Sequence, residues 1–204
     1  MIRHTDGDLL IVEKPSGMLS VPGRGPERQD CVASRVQAIY PDALTVHRLD
    51  LETSGLMVMA RNKATHRALS IAFQERRVEK RYLAVVDGFL QADIGIIDLP
   101  LIVDWPNRPR QKVDFTTGKP ALTQYRVLMR HTDRSRVELA PLSGRSHQLR
   151  LHLCALGHPI LGDPIYANPA ALAKSPRLLL HATLLAFTHP GSGNPLTLHS
   201  AAPF

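Results

Sequence analysis

Apolar positions along this chain fall mostly in short runs bounded by turn formers, and at helical spacing in three places. Leu9-Leu10-Ile11-Val12, stopped by Lys14-Pro15, predicts a buried strand that enters the turn-rich stretch Ser16 to Gly25. Leu56 to Ala60 holds only apolar residues and predicts a strand buried on both faces. Tyr82 to Val86, stopping near Asp87-Gly88, predicts another, as do Tyr125 to Met129, Val137 to Leu139 and Leu178 to Phe187. The helical stretches each offer a cap. Asp30 is the expected cap of a helix through Ala38 or Ile39 that turns Val32, Val36 and Ile39 to one side. Asn62 is the expected cap of a helix to about Glu75, with Leu69, Ala72 and Phe73 inward, and Ser146 of one holding Leu149, Leu153 and Leu156, with Gly157 just past its end. Residues 94–120 are read as a strand pair with a long basic loop. Strands outnumber helices without alternating regularly, which predicts an α+β fold with a central mixed, largely antiparallel sheet and flanking helices and loops.

The chain has 204 residues, sufficient for one domain and short for two, so a single domain over 1–204 is expected. With 44% hydrophobic and 21% charged residues it belongs with folded proteins, not disordered ones. No apolar run reaches the roughly 20 residues a membrane-spanning helix needs, and the N-terminus does not read as a signal peptide. Two isolated cysteines, Cys31 and Cys154, are expected as reduced thiols, which fits a cytoplasmic protein. The net charge of +7 changes the picture more, because excess Lys and Arg raises affinity for polyanions. The charge is clustered at Arg76-Arg77, Lys80-Arg81 and Arg108-Pro109-Arg110-Gln111-Lys112.

Two polar clusters sit in otherwise apolar surroundings. His47-Arg48-Leu49-Asp50-Leu51-Glu52-Thr53-Ser54-Gly55 joins a short strand at Thr45-Val46 to the apolar Leu56 run. A carboxylate on a loop beside a core strand suits a rigid site. Residue chemistry alone favours a plainer reading, a turn in which Asp50 or Thr53 bonds backbone amides. The second cluster, Ser143 to His152, contains Arg150 beside core leucines; a buried arginine cannot lose its charge and needs a carboxylate partner. His147 and His152 lack the usual helical spacing of metal ligands, and no metal site is expected. Phosphate-loop, dinucleotide and nucleophile-elbow motifs are all missing.

Together these clusters resemble a known family. His47-Arg48-Leu49-Asp50-Leu51-Glu52-Thr53-Ser54-Gly55-Leu56 is similar to the H-R-L-D-x-x-T-S-G-L signature of the RluA family of pseudouridine synthases. Lys80-Arg81-Tyr82 resembles the family's K-x-Y, Gly144 to His152 its G-R-[ST]-H-Q-[IL]-R-x-H, and Gly157 to Asp163 the G-x-P-I-x-G-D that follows. The four motifs stand in order over nearly the whole chain, from about Leu9 to His189. Ser16 to Arg24 and Asp104 to Lys112 resemble one branch, whose enzymes act on a tRNA anticodon-loop uridine and a large-subunit ribosomal RNA loop. Like that branch, the chain is expected to lack an S4-like RNA-binding domain.

The resemblance implies an isomerase that converts uridine to pseudouridine in structured RNA, tRNA or large-subunit rRNA, with no cofactor and no metal, acting in the cytoplasm as a monomer. It implies Asp50 as the catalytic carboxylate, with Arg150 pairing with it and Tyr82 stacking on the uracil or moving a proton. It also implies that Arg48 fills the space left by a flipped-out uridine. His47, Arg108, Arg110, Lys112 and Arg145 complete the expected RNA contacts. The competing readings are a non-catalytic RNA-binding or ribosome-assembly protein on the same scaffold, which would not need Asp50, Tyr82 and Arg150 together, and a carboxylate-dependent hydrolase acting on nucleosides or sugars, which explains Asp50 but not the basic loops and for which the sequence shows no clear second catalytic carboxylate.

Overall fold

Seven consecutive buried residues, Ser54–Ala60, form the strand around which the N-terminal part of the chain assembles. The computed structural model describes every residue from Met1 to Phe204. In chain order, β1 (Ile2–Thr5), β2 (Leu9–Lys14), helix α1 (Val32–Gln37), β3 (Leu44–Thr45), β4 (Ser54–Ala60) and helix α2 (Lys63–Gln74) come first. β5 (Glu79–Asp87), β6 (Ile94–Asp98), β7 (Leu101–Val103), β8 (Gln111–Val113), β9 (Leu122–Arg130) and β10 (Arg134–Pro141) follow. Helices α3 (Gln148–Ala155) and α4 (Pro169–Ala173), then β11 (Leu180–Thr188) and β12 (Pro195–His199), end the chain. The contacts define two compact units, Met1–Lys80 with His181–Pro203, and Arg81–Leu180 with Phe204.

In the first unit, β2 lies antiparallel to both β1 and β4, β3 adds to the end of β4, and β11 runs parallel to the start of β4 with β12 antiparallel to it. The parallel pairing is short, His181 with Ser54 and Ala182 with Gly55. It requires the glycine: Gly55 has φ 117°, and a Cβ there would stand 2.4 Å from the Ala182 carbonyl oxygen. Leu9, Ile11, Leu56, Val58, Leu69, Ala72, Leu185 and Phe187 form the core of this unit. Burying one such leucine contributes about 1.5–3 kcal/mol. The Asn62 cap stands as expected, its side chain accepting from the Thr65 N–H. The cap of α1 does not. Cys31 holds that position, reciprocating with Ser34 in a capping box, while Asp30 turns outward into an exposed ion pair with Arg35. The strands β1 and β12, four and five residues long, are not among the strands the sequence reading predicts.

In the second unit the strands run in the order β5-β10-β9-β6, all antiparallel, with Ala84, Val86, Val137, Leu139, Leu149, Leu153 and Ile160 in the core below them. β7 and β8 form a separate two-stranded arm around the basic loop of residues 104–110, the strand pair expected in that region, which also holds a third strand, β6, paired with β9 instead. Both units are thus α+β, and β4–β11 supplies the parallel pairing that makes the sheet mixed. The predicted Ser146 cap gives way to His147, which adopts a left-handed φ of 54° and makes no side-chain cap. The Gln148 side chain instead folds back to accept from the Ser143 hydroxyl and the Arg145 N–H. Gly157, at φ 83°, ends the helix as expected.

Candidate active site

The loop that carries Asp50 is irregular, so its shape must come from bonds made by other segments. The stretch Lys14–Ser20 supplies them. The Ser20 hydroxyl donates to the Leu49 carbonyl (2.7 Å) and accepts from the Leu49 N–H (3.1 Å), gripping one residue from both sides. Lys14, 0% exposed, sends its ammonium to the carbonyls of Leu51 (2.7 Å), Met18 (2.6 Å) and Pro15 (2.9 Å). The Gly17 N–H also donates to the Leu51 carbonyl, and the Ser16 hydroxyl to that of Glu52. Asp50 itself is half-buried, and its carbonyl accepts from the Thr53 N–H. Just downstream, Ser54 donates to His181 Nδ1 (2.8 Å), His181 Nε2–H to Ser200 (2.9 Å), and Ser200 to Glu13 (2.7 Å). The direction follows from the last bond, where Ser200 must be the donor. This buried relay fastens the start of β4 across the sheet. The side chains that hold the loop gave no signal in the sequence, where Ser16 and Ser20 are ordinary members of a turn-rich stretch.

His47, at the head of the same loop, is built into the framework. Its ring stacks on Phe73 at 4.5 Å, and its Nε2 accepts the Val58 N–H at 3.1 Å. Burial, with the nearby positive Lys80 adding to it, pushes the imidazole pKa down to about 3, so the ring is neutral and its proton sits on Nδ1. Burial also lowers the Lys80 ammonium from its ordinary value. Arg48 is exposed.

In the second unit, Tyr82 lies on β5 opposite Leu139 and packs, half-buried, against the core. Arg150, in the first turn of α3, is buried, and its Nε and Nη2 donate to the two carboxylate oxygens of Asp163 at 2.8 and 2.6 Å. Asp163 is also buried and accepts the N–H groups of Ile165 and Tyr166. Within this unit, Asp163, at the end of the last family-like motif, meets the demand of the buried arginine for a carboxylate. The Tyr166 ring lies 5.4 Å from the Arg150 guanidinium, and its hydroxyl meets His147 Nδ1 and accepts the Gln111 N–H. Burial first of all pushes that phenol up to about 12, so it remains a hydrogen-bonding hydroxyl and not a titrating group. Both ring nitrogens of His152 are taken, Nδ1 by Thr123 and Nε2 by the Leu99 carbonyl.

The expected RNA contacts of this unit are exposed but not alike. Arg108 lies 4.5 Å over the ring of Trp105, itself 64% exposed. Arg110 is committed to the arm's base, donating to the Ile165 carbonyl and lying over Tyr166. Lys112 sits 3.6 Å from Asp114, and Arg145 donates to the Pro120 carbonyl. Elsewhere, in the first unit, Asp6, Asp8 and His189 bring ligand atoms within 4.8 Å of one another. Their bonds account for the grouping: Asp6 accepts from the Leu9 and Asp8 N–H groups, His4 and His189, and Asp8 from Asn62 and Thr65. Burial would raise the Asp6 pKa, but these donors outweigh it and hold the carboxyl well below the usual range. Both cysteines are free thiols, Cys31 buried as a helix cap and Cys154 half-buried.

Comparison with known proteins gives one answer. The family model described as RNA pseudouridylate synthase matches residues 8–155. The dual-specificity RNA pseudouridine synthase RluA of Escherichia coli (strain K12) is 53% identical over 205 residues, covering 100% of this chain and 94% of that protein. The protein of the same name from Yersinia pestis is 53% identical and covered in full on both sides. The solved structure of human RNA pseudouridylate synthase domain containing 1 matches with a TM-score of 0.83 and 30% identity, over 100% of this chain and 83% of that one. With that coverage, the chain belongs to the RNA pseudouridylate synthase family and is an RNA-modifying isomerase.

Proposed function

We propose that this enzyme isomerises a uridine in a tRNA anticodon loop, in a large-subunit ribosomal RNA loop, or in both. The dual specificity named for its relatives supports two RNA targets, and the net charge of +7 supports a polyanionic substrate. The observation that carries the reading is the Asp50 loop, a half-buried carboxylate on a backbone held from Leu49 to Glu52 by another segment's side chains. The reaction breaks the N1–C1′ bond, turns the uracil and joins C5 to C1′; C5 gives up its proton and N1 gains one, so bonds are exchanged within one nucleotide. It needs an ionised carboxylate fixed at the ribose and base, which is the role we assign to Asp50. Tyr82 offers an aromatic face for the uracil and a phenol for proton transfer, and Arg150 supplies a permanent positive charge for the developing anion. Asp163 keeps that guanidinium in one orientation.

A base stacked in a helix cannot be reached, so the target uridine is flipped out, and Arg48 is our choice to occupy its place. Arg108, Lys112 and Arg145 are assigned to the RNA backbone. Arg110 is given a smaller share of that contact because its guanidinium also anchors the arm. His47 is assigned to shaping the loop beside the RNA, its ring being engaged on both sides. The whole chain is proposed to act as one catalytic domain, monomeric and cytoplasmic. No helix is long and apolar enough to cross a membrane.

Pseudouridine mapping tests this directly. Total tRNA and ribosomal RNA from cells lacking the enzyme would be incubated with purified protein, wild type or Asp50→Asn, without added metal or cofactor. New pseudouridine in an anticodon loop or a large-subunit loop, absent with the variant, is the expected result. Binding of RNA by both proteins without any modified base would overturn the reading, and release of free uracil would point to a hydrolase.

A further inference from the structure

We propose that the segment Lys14–Ser20 is a positioning device for Asp50, with Ser20 as its principal residue; the inference rests on the assignment of Asp50 as the catalytic carboxylate. A catalytic carboxylate at the middle of a loop inherits its position from the peptide units on either side. Here those units have no strand or helix to hold them. Upstream, both polar groups of Leu49 are bonded to one side-chain atom, the Ser20 hydroxyl, which is almost wholly buried. That hydroxyl does the work of a neighbouring strand for one residue, donating and accepting at once. Downstream, the Leu51 carbonyl receives both the Lys14 ammonium and the Gly17 N–H, and the Glu52 carbonyl receives the Ser16 hydroxyl. Asp50 is thus bracketed at its two neighbours and at the residue beyond.

The way the clamp is itself fixed strengthens the case. Lys14 closes β2, whose register against β4 pairs it with Gly55, so the clamp and the end of the Asp50 loop are set by the same pair of strands. Its ammonium also ties the carbonyls of Pro15 and Met18, folding its own segment into the shape that places Ser16 and Ser20. An ammonium fully removed from solvent is costly unless its donors are satisfied. Three carbonyls at 2.6–2.9 Å do so here. Two further backbone bonds, Val32 N–H to the Leu19 carbonyl and Ala33 N–H to that of Ser20, attach the far end of the segment to α1. None of these side chains needs to touch RNA. Their effect is on where the carboxylate stands.

The test is the kinetics of Ser20→Ala on an anticodon stem–loop RNA that the wild type modifies. Loss of the grip on Leu49 should lower kcat about 10- to 100-fold, the scale of a misplaced catalytic group. KM for the RNA should stay within about threefold, since no binding contact is removed. Ser20→Thr, which keeps the hydroxyl, should recover most of kcat. Val36→Ala, a core substitution in α1, serves as the stability control: at a matched thermal midpoint it should leave kcat near wild type. If Ser20→Ala fails to fold, Ser16→Ala carries the test, with a smaller fall in kcat and the same unchanged KM. A kcat equal to wild type in the Ser variants, or a loss no larger than that of the control, overturns the proposal. An inactive wild type instead overturns the reading on which it rests.

Discussion

The Asp50 loop, with one arginine against two acids, and the basic loop of the β7–β8 arm are both polar, yet they are held in opposite ways. Around Asp50 the bonds come mainly from outside the loop, through the buried side chains of Lys14 and Ser20 and the hydroxyl of Ser16. In the arm the loop closes mainly on itself, Asp104 N–H to Arg110 carbonyl, Asn107 N–H to Asp104, and Arg110 N–H to Asn107. Its attachments at the base are the Arg110 bond to the Ile165 carbonyl and the Tyr166 hydroxyl on Gln111. Its large side chains face solvent, with Phe115 just beyond β8 at 78% exposed. The first arrangement suits chemistry, which tolerates little positional error, and the second suits contact with a partner whose backbone adjusts. Substitutions should therefore separate into losses of turnover in one region and losses of binding in the other.

The largest effect expected is that of Asp50→Asn. Removing the ionised carboxylate at constant size should lower kcat by roughly a thousandfold or more while RNA affinity and thermal midpoint hold. Gel-shift and single-turnover pseudouridine formation on the same preparation would check it. A parallel loss of RNA binding would show that the loop is a contact surface and would end the division drawn above. Next comes Asp163→Ala, which leaves Arg150 buried without its bidentate partner. A cost of about 3–5 kcal/mol in denaturant-derived stability is expected, together with loss of activity; an unchanged stability would mean that Asp163 does not compensate the buried charge.

Much of this was legible in the chain. Runs such as Leu56 to Ala60 have only one way to be buried, and a helix with Asn62 ahead of it and Leu69 and Ala72 inward is over-determined. Cap positions were less so, because Asp30, Cys31 and Ser146, His147 are adjacent polar choices and the decision rests on tertiary placement. The demand of a buried Arg150 for a carboxylate could be read in advance, but not that Asp163 meets it, since Asp163 comes near through the turn after α3, not through helical spacing. The clamp on Asp50 was invisible for a related reason. Ser16 and Ser20 act on residues 36 and 29 positions away, and no local pattern marks such a bond.

The third expectation concerns pH, and it bears on the rigid region alone. His47 accepts the Val58 N–H only while neutral, and its folded pKa, about 3, lies below the ordinary 6.5. The unfolded chain therefore takes up a proton between those values while the folded one does not. Its contribution to stability is complete above pH 6.5 and is lost as the pH falls toward 3, by at most about 1.4 kcal/mol per unit. His152, whose pKa is also lowered by burial, adds a slope of the same sign, so the comparison must be made against His47→Gln at each pH. Urea melts of the variant should show a shallower acid slope than the wild type. Identical slopes would mean that the ring is accessible to protons in the folded state, and that the loop is less fixed than its bonds imply.

The smallest effects are expected in the arm, where they also discriminate best. Arg108→Ala and Lys112→Ala remove exposed charges, so stability should change by no more than about 0.5 kcal/mol. If each side chain meets one phosphate, each substitution should raise KM several-fold and make the log–log salt dependence of binding shallower by about 0.7, from a wild-type slope near −3.5 if about five phosphates are neutralised. Arg110→Ala should differ by also costing about 1 kcal/mol of stability, because it breaks the bond to the Ile165 carbonyl and leaves the Tyr166 ring. The informative quantity is the ratio of kcat to KM effects along the series. A fall in kcat at constant KM for Arg108→Ala would place the arm in the chemistry and erase its contrast with the Asp50 loop. A change confined to KM and to the salt slope would make the two regions separable, since binding could then be weakened by charge while the carboxylate, held by Ser20 and Lys14, turned over each bound RNA as before.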